Sequence, residues 1–511
     1  MLCRDPMTPC PLGRVPGKQT DAAVDALLRE QLPLASDGDF RRIAHTFGVC
    51  PYALMLRYTA FCDLIIGDYN YLFDPHVALR RFFGRPGKYI LLVDEAHDLP
   101  DRIRRIASAD LSTQTLSPFL TLLGEADDDS AKAAERLRST FGLVTAPDPD
   151  ADRPLRAPGA GNGFFRTEEH PPAALLAALR DALRAADALC ANRALPFRKR
   201  CAIRDAARPL RDFLQVAAHY DRHYQTFCER RGTQDLVRLL CLHPAAIADR
   251  CLSCCDSALL FSATLLPLSY YRAVLGNARD STELLLDSPF ASEQLCICLM
   301  DRISTRYEDR ESSAAEIARA IAAMTDGKTG NYFVFCPSYA YLSTLYRAFC
   351  DAFPDRLAQM QPASADPKAR QDFLAGFSEN PARTRIGFCV TGGVFSEGID
   401  LAGSRLIGAA VVGVGLPSPS PERDAIAAYY QEIYEQGREF AYLYPGMNRV
   451  LQAAGRVIRS EQDRGVLVLI DDRFRLPLYR RMLPSLWKGI TCVGNPDALR
   501  FVVQRFWKDS D

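Results

Sequence analysis

The chain has 511 residues, enough for roughly three or four domains of ordinary size. Its 62 basic and 62 acidic side chains cancel, which excludes bulk charge as a source of nucleic-acid affinity and leaves only local patches to supply it. Hydrophobic residues at 48% and charged residues at 24% are ordinary for a globular protein, no apolar segment reaches the ~18 residues of a membrane span, and Met1-Leu2-Cys3-Arg4-Asp5-Pro6 lacks the apolar core of a signal peptide.

Residues 1–60 are partly helical and punctuated by cysteines. The 17 cysteines are scattered along the whole chain, which fits a reducing compartment and mostly buried thiols better than a disulfide framework. Residues 61–110 hold two candidate strands, Leu64-Ile65-Ile66 and Ile90 to Val93, joined by an amphipathic segment around Val77 to Phe83. Residues 111–250 are rich in Ala, Leu and Arg, with helical spacing at Leu175, Leu176, Leu179 and Leu183. They include an acidic run, Glu125 to Asp129, and a Pro/Gly-rich loop, Ala146 to Gly163. A further strand, Ala258 to Phe261, falls in 251–300. From about 300, candidate strands Tyr332 to Phe335, Ile386 to Val390, Leu406 to Val412 and Val466 to Ile470 alternate with helical stretches. That alternation predicts βαβ units and a parallel sheet. The predicted order is α/β, a helical insertion over 111–250, a return to the first sheet over 251–300, and a second α/β domain over 301–511.

The stretch Tyr89-Ile90-Leu91-Leu92-Val93-Asp94-Glu95-Ala96-His97 runs an apolar strand, expected to be buried on both faces, into adjacent carboxylates. Open α/β sheets bind ligands at the carboxyl ends of their strands. There Asp94 is suited to hold Mg²⁺ and Glu95 to polarise an attacking water, the layout of a DEAH-type Walker B motif. A plain strand end with two solvated acids is the bland alternative. Ser262-Ala263-Thr264 follows the next strand as a hydroxyl-rich turn, either a sensor of the acidic tip or an ordinary helix cap. Gly392-Gly393-Val394-Phe395-Ser396-Glu397-Gly398-Ile399-Asp400 permits close backbone approach to a phosphate or a nucleic-acid strand, or is simply a flexible loop. Gln452-Ala453-Ala454-Gly455-Arg456-Val457-Ile458-Arg459 is expected to place Gln452, Arg456 and Arg459 on one helical face, where two arginines can grip a γ-phosphate.

Taken in this order, the four motifs resemble superfamily 2 helicases, specifically the XPD/DinG branch with an iron–sulfur cluster. Further matching pieces are Cys50-Pro51-Tyr52, Asp68 to Pro75, Ser288-Pro289-Phe290 and Phe335-Cys336-Pro337-Ser338-Tyr339. The resemblance implies two RecA-like domains of P-loop NTPase type with parallel sheets, the first incomplete and carrying an iron–sulfur segment (residues 1–60) and a helical arch. It implies ATP-driven DNA unwinding with 5′→3′ polarity by a monomer that binds single-stranded or forked DNA. It further implies a role in repair or replication and a bacterial-type cytoplasmic setting, at the nucleoid when bound to DNA. Asp94, Glu95, Arg456 and Arg459 are the catalytic candidates, with His97, Gln452, Gly398 and Asp400 at ATP. Mg²⁺ falls to Asp94 and a 4Fe–4S cluster to Cys3, Cys10 and Cys50.

Two features depart from the pattern. The nearest stretch to a P-loop, Gly13 to Thr20, has its glycines too close and Gln19 after Lys18, so Lys18 reads as a surface residue. A cluster needs four thiolates, and a fourth is expected upstream of Cys3. Cys62 reads as a buried thiol, and Cys251, Cys254 and Cys255 as packed thiols more than a zinc site. Both gaps predict a chain truncated at its N-terminus relative to a longer helicase. Two other classes remain: a nucleic-acid-binding scaffold without ATPase activity, and a subunit completed by a separate P-loop polypeptide. For DNA, single-strand motors combine basic grooves with aromatics. Arg193, Arg198, Lys199, Arg200, Arg204, Arg208 and Arg211 form one candidate cluster. Arg222, Arg230 and Arg231 with Tyr220, Tyr224 and Phe227 form a second, each weighed against a solvated helix face.

Overall fold

Fourteen strands order the described residues in this computed structural model, which describes 17–155, 163–192, 194–276, 281–363, 366–393, 395, 405–484, 487 and 489–508. In chain order they are β1 Gly87–Val93, β2 Ala109–Ser112, β3 Arg153–Pro154, β4 Phe164–Glu168, β5 Tyr224–Arg231, β6 Gln234–Cys241 and β7 Cys255–Leu260. They continue with β8 Leu295–Met300, β9 Asn331–Cys336, β10 Leu357–Met360, β11 Arg385–Val390, β12 Gly408–Val412, β13 Gly465–Ile470 and β14 Thr491–Cys492. They belong to two compact units, one within 1–87 and 103–241, the other within 88–102 and 242–511.

In the first unit three helices, Gly17–Arg29, Asp37–Phe47 and Pro51–Tyr58, enclose Val24, Leu27, Phe40, Ile43 and Leu54. The middle helix starts in a capping box of Ser36 and Asp39 and stops at Gly48, whose φ of 59° suits a residue without Cβ. Lys18 lies exposed in the first turn of the first helix, as a surface residue would.

The rest of that unit corrects the all-helical expectation for 111–250. Four helices, Thr113–Gly124, Asp128–Val144, Ala173–Ala191 and Phe197–Ala218, share a core with an antiparallel sheet ordered β2-β6-β5-β4-β3. The hairpin between β5 and β6 turns at Gly232, φ 61°. The predicted strand Leu64-Ile65-Ile66 does not form. It runs as irregular chain with Leu64 and Ile66 70% and 84% exposed, because no strand among the described residues lies beside it to complete a ladder.

The second unit is built on seven parallel-paired strands in the order β10-β11-β9-β12-β13-β8-β14. β9, β12 and β13 are buried at every position, as near-continuous apolar runs in a parallel sheet should be. The sheet recruits Leu295–Met300, ahead of the boundary expected at 301. The register brings Cys336 level with Val390, and Ile470 level with both Val412 and Met300, so the carboxyl ends form one edge. The same unit holds a two-stranded sheet, β1 with β7. Here β1 departs from the expected double burial. Ile90 is 72% and Leu92 61% exposed, since β7 is its sole pairing partner among the described residues.

Candidate active site at a strand tip

β1 ends at Val93, and the chain turns through Asp94 and Glu95, both exposed. Glu95 adopts φ 48°, a left-handed conformation that costs a non-glycine residue roughly 1–2 kcal/mol. Its amide donates to Asp94 Oδ1 at 2.7 Å. The neighbouring strand pins the turn: Phe261 N–H donates to the Val93 carbonyl, and Ala96 N–H donates to the Phe261 carbonyl at 3.1 Å. That places Ser262-Ala263-Thr264 beside the carboxylates.

His97 joins the pieces. Its ring is buried, with Nδ1 2.7 Å from Ser262 Oγ and 3.3 Å from Glu95 Oε2. Nε2 meets the side-chain nitrogen of Gln452 and lies 3.3 Å from Asp98 Oδ1. With the ring proton on Nδ1, the Gln452 amide donates to Nε2 and Nδ1 donates to Ser262 Oγ. Ser262 donates in turn to Glu95 Oε2 at 3.4 Å. A hydrogen-bond chain therefore runs from Gln452 through His97 and Ser262 to the proposed base. Thr264 N–H donates to Ser262 Oγ at 3.2 Å and holds the hydroxyl in place.

Gln452 sits on the helix Tyr444–Ala454, which is entered through one turn of π-helix, Glu439–Leu443. One turn before it, Asn448 donates from Nδ2 to the buried Tyr271 hydroxyl. Burial, followed by Tyr270, pushes that hydroxyl well above the ordinary tyrosine range, so it stays protonated and available for hydrogen bonding. Tyr271, Asn448 and Asp98 escaped the sequence reading. The spacing of Asn448 and Gln452 was the available signal, because i and i+4 share a helix face.

The arginines require a correction. The helix stops at Ala454, so Arg456 and Arg459 do not share its face with Gln452. Gly455 caps it, and Asp463 then builds a tight turn by accepting the Arg459 and Ser460 amides at 2.8 and 2.9 Å. Arg456, half-buried, lines a cavity of about 1930 Å³ together with Glu95, Ser262, Thr264, Tyr271 and Gln452. A carboxylate and a guanidinium lining one cavity, as Glu95 and Arg456 do, can serve a cation and a polyanion together. Among the described residues no group of three or more His, Cys, Asp and Glu is placed to hold a metal ion. Asp94 as a single carboxylate still fits Mg²⁺, which is commonly held by one or two carboxylates plus phosphates and water.

The family model named DEAD_2 matches residues 25–116, which contain the strand tip, and the helicase C-terminal domain model matches 321–489, which contain Gln452, Arg456 and Arg459. The XPD helicase subunit of general transcription and DNA repair factor IIH from Dictyostelium discoideum is 23% identical over 86% of this chain. The ATP-dependent DNA helicase YoaA of Escherichia coli is 24% identical over 82% of it. These matches support an XPD/DinG-like superfamily 2 helicase. Each alignment covers 65% of the relative, so the chain spans less than two thirds of either protein. In fold it is similar to Xpd4 of S. tokodaii, with TM-score 0.59, 12% identity and 94% of each chain covered. It is also similar to an XPD helicase structure, with TM-score 0.55, 17% identity, and 89% of this chain and 77% of that one covered. RecA-like architecture accords with the parallel sheet of the second unit.

The remaining candidates fall in several places. Cys3, Cys10, Arg193, Gly398 and Asp400 lie outside the described residues. Cys50 is half-buried and caps the helix Pro51–Tyr58. Cys62 donates to the Tyr58 carbonyl, and burial pushes its thiol up. Burial also pushes the Cys251 thiol up to about 11.

Arg198, Lys199, Arg200 and Arg204 stand on the helix Phe197–Ala218, whose opposite stripe buries Ile203, Ala207, Leu210 and Phe213. Arg198, Lys199 and Arg204 are exposed and have no ion-pair partner among the described residues; Arg208 and Arg211 pair with Asp205 and Asp187. Arg200 lies with its guanidinium 5.9 Å from the Phe197 ring centroid. The second cluster disperses. Tyr224 and Phe227 are buried in β5, while Arg230 and Arg231 pair with Asp235 and Glu229.

Proposed function

We propose that this chain acts as an ATP-dependent DNA helicase of XPD/DinG type, moving 5′→3′ on single-stranded DNA within forked substrates, in repair or replication. The observation that carries the reading is the hydrogen-bond chain Gln452–His97–Ser262–Glu95. It ties the strand tip to the helix that precedes the arginine turn, so a change at either reaches the other. The names of the two relatives support the activity.

Asp94 and phosphate oxygens would hold Mg²⁺, which neutralises charge on the β- and γ-phosphates when bound. Glu95 orients and deprotonates the attacking water. Ser262 and His97 fix the Glu95 carboxylate and report its state to Gln452. Arg456 lends positive charge to the γ-phosphate, and Arg459 is the second arginine the family pattern puts there. Gly398 and Asp400 in the glycine loop are proposed to couple nucleotide to strand movement. The same reading includes a 4Fe–4S cluster on Cys3, Cys10 and Cys50. The cysteine pattern is its sole support, no step above passes through it, and iron analysis of anaerobically purified protein tests it. The proposed setting, a monomer at the nucleoid, is open to light scattering and imaging.

Phosphate release from ATP should rise severalfold with single-stranded DNA. Equal release with and without DNA, at any protein concentration, would sink the motor reading. For the DNA path, replacing Arg198, Lys199 and Arg204 with alanine should weaken DNA binding and flatten the log affinity–log salt slope by roughly 0.7 per lost phosphate contact on single strands. An unchanged slope would remove this helix from the path.

One observation favours a second reading, in which a separate polypeptide supplies the phosphate-cradling loop. Ile90, Leu92 and Leu259 of β1 and β7 are more than half exposed, an apolar surface suited to a further strand. Phosphate release that appears only on adding a polypeptide with a strand–glycine loop–helix would select this version.

A further inference from the structure

β8 and β13 are neighbours, and their register sets Leu295 level with Gly465. Gln294, the residue before β8, therefore lies beside the end of the loop that enters β13. That loop, 455–464, runs from the end of the helix Tyr444–Ala454 and carries Arg456 and Arg459. Its placement matters to the chemistry above, because Arg456 reaches the cavity from it.

Two holds on the loop are internal. Asp463 accepts the Arg459 and Ser460 amides, and the Ser460 hydroxyl at 2.9 Å, which makes 459–463 a stiff unit. Buried Val457 packs under the start of β13, where a Cβ on Gly465 would come within 2.2 Å of Val457 Cγ1. Neither hold reaches beyond the loop and its own strand.

Gln294 supplies a third hold, from outside. Its Nε2 donates to the Glu461 and Asp463 carbonyls, both at 2.8 Å, and its Oε1 accepts the Ala291 amide at 2.7 Å. Two carbonyls can only accept and an amide N–H can only donate, so these partners fix the side-chain amide's orientation. Ala291 directly follows Ser288-Pro289-Phe290, a sequence piece with no role so far, which lines the same cavity as Glu95 and Arg456. One side chain thus joins that wall of the cavity to the loop that carries the arginines.

We propose that Gln294 is a positioning residue for phosphoryl transfer, clamping residues 461–463 to the segment behind Phe290 so that Arg456 stays directed at the γ-phosphate. This rests on the reading of Arg456 given above. A charge stabilises a transition state only if it is already in place when the reaction occurs. A displacement of about 1 Å, even from a change remote from the chemistry, can cost about 10²-fold. Gln294 touches no reacting atom; it acts through the loop, whose internal bonds carry a shift at Asp463 back to Arg459.

The test is the affinity of the full chain, with Mg²⁺ and oligothymidylate present, for ADP alone and for ADP with aluminium fluoride, which imitates the phosphoryl group in transfer. The variants are Gln294→Met, which keeps the length and loses both donors, Gln294→Glu, which also keeps an acceptor for Ala291, Arg456→Ala, and Gln294→Met/Arg456→Ala. Both Gln294 variants should bind the fluoride complex about 10- to 100-fold more weakly than wild type. Their affinity for ADP alone should stay within about threefold, and so should any further loss when Gln294→Met is added to Arg456→Ala, because the positioned arginine is then gone. Gln294 variants that bind like wild type, that lose both ligands in parallel, that fail to fold, or that add their full effect to Arg456→Ala would overturn the positioning role alone. A wild-type chain with no preference for the fluoride complex, or an unaltered Arg456→Ala, would overturn the reading of Arg456 and the positioning role with it.

Discussion

Glu95→Gln should lower DNA-stimulated phosphate release about 10²–10⁴-fold, the range general-base catalysis contributes. The substitution is nearly isosteric and leaves Asp94, the proposed Mg²⁺ ligand, in place. A glutamine oxygen can still accept the Ser262 hydroxyl, so the chain to His97 and Gln452 survives. Nothing about the left-handed turn at position 95 distinguishes Gln from Glu. Nucleotide affinity and the melting temperature should therefore stay close to wild type while turnover collapses. A variant that turns over like wild type would move the base elsewhere; one that no longer binds nucleotide would make Glu95 a binding residue.

Asp471→Ala is expected to destabilise the second unit by about 3–5 kcal/mol, the cost of removing one member of a buried ion pair. The Asp471 side chain has no solvent exposure and that of Arg473 is 18% exposed. The carboxylate accepts the Arg473 amide, Nε and Nη2, each at 2.8 Å, and the Thr305 hydroxyl. Alanine would leave the guanidinium buried and unpaired, and uncap the short turn Asp472–Arg475. The double variant Asp471→Ala/Arg473→Met should recover much of the loss, because no charge then remains to be desolvated. The denaturant midpoint measures both. A single-variant loss below about 1 kcal/mol would show that water reaches the pair.

Burial explains which elements could be read from the sequence. β9, β12 and β13 are covered on both faces, so they appear as uninterrupted apolar runs; β1 and β7, which lead to the strand tip and the Ser-Ala-Thr turn, carry apolar runs too, although Ile90, Leu92 and Leu259 are exposed. β5 and β6 gave no such run: Glu229, Arg230, Arg231, Asp235 and Arg238 interrupt them inside an arginine-rich stretch, and only Gly232 marked a hairpin. Leu64-Ile65-Ile66 had the composition of a strand but no neighbour to pair with among the described residues, and pairing is not encoded locally. The arginine turn reads as helix because Arg456 and Arg459 keep helical spacing. What ends the helix is Gly455 with Asp463, whose carboxylate bonds to the backbone ahead of it. The Tyr271–Asn448 contact spans 177 residues and has no local signature.

Strand displacement from a forked duplex bearing a 5′ single-stranded tail decides whether chemistry at the strand tip drives movement along DNA. Wild-type protein should release the displaced strand with ATP and Mg²⁺, and neither with a non-hydrolysable analogue nor as Glu95→Gln. Displacement by Glu95→Gln at the wild-type rate would contradict the assignment of the motor to Asp94 and Glu95.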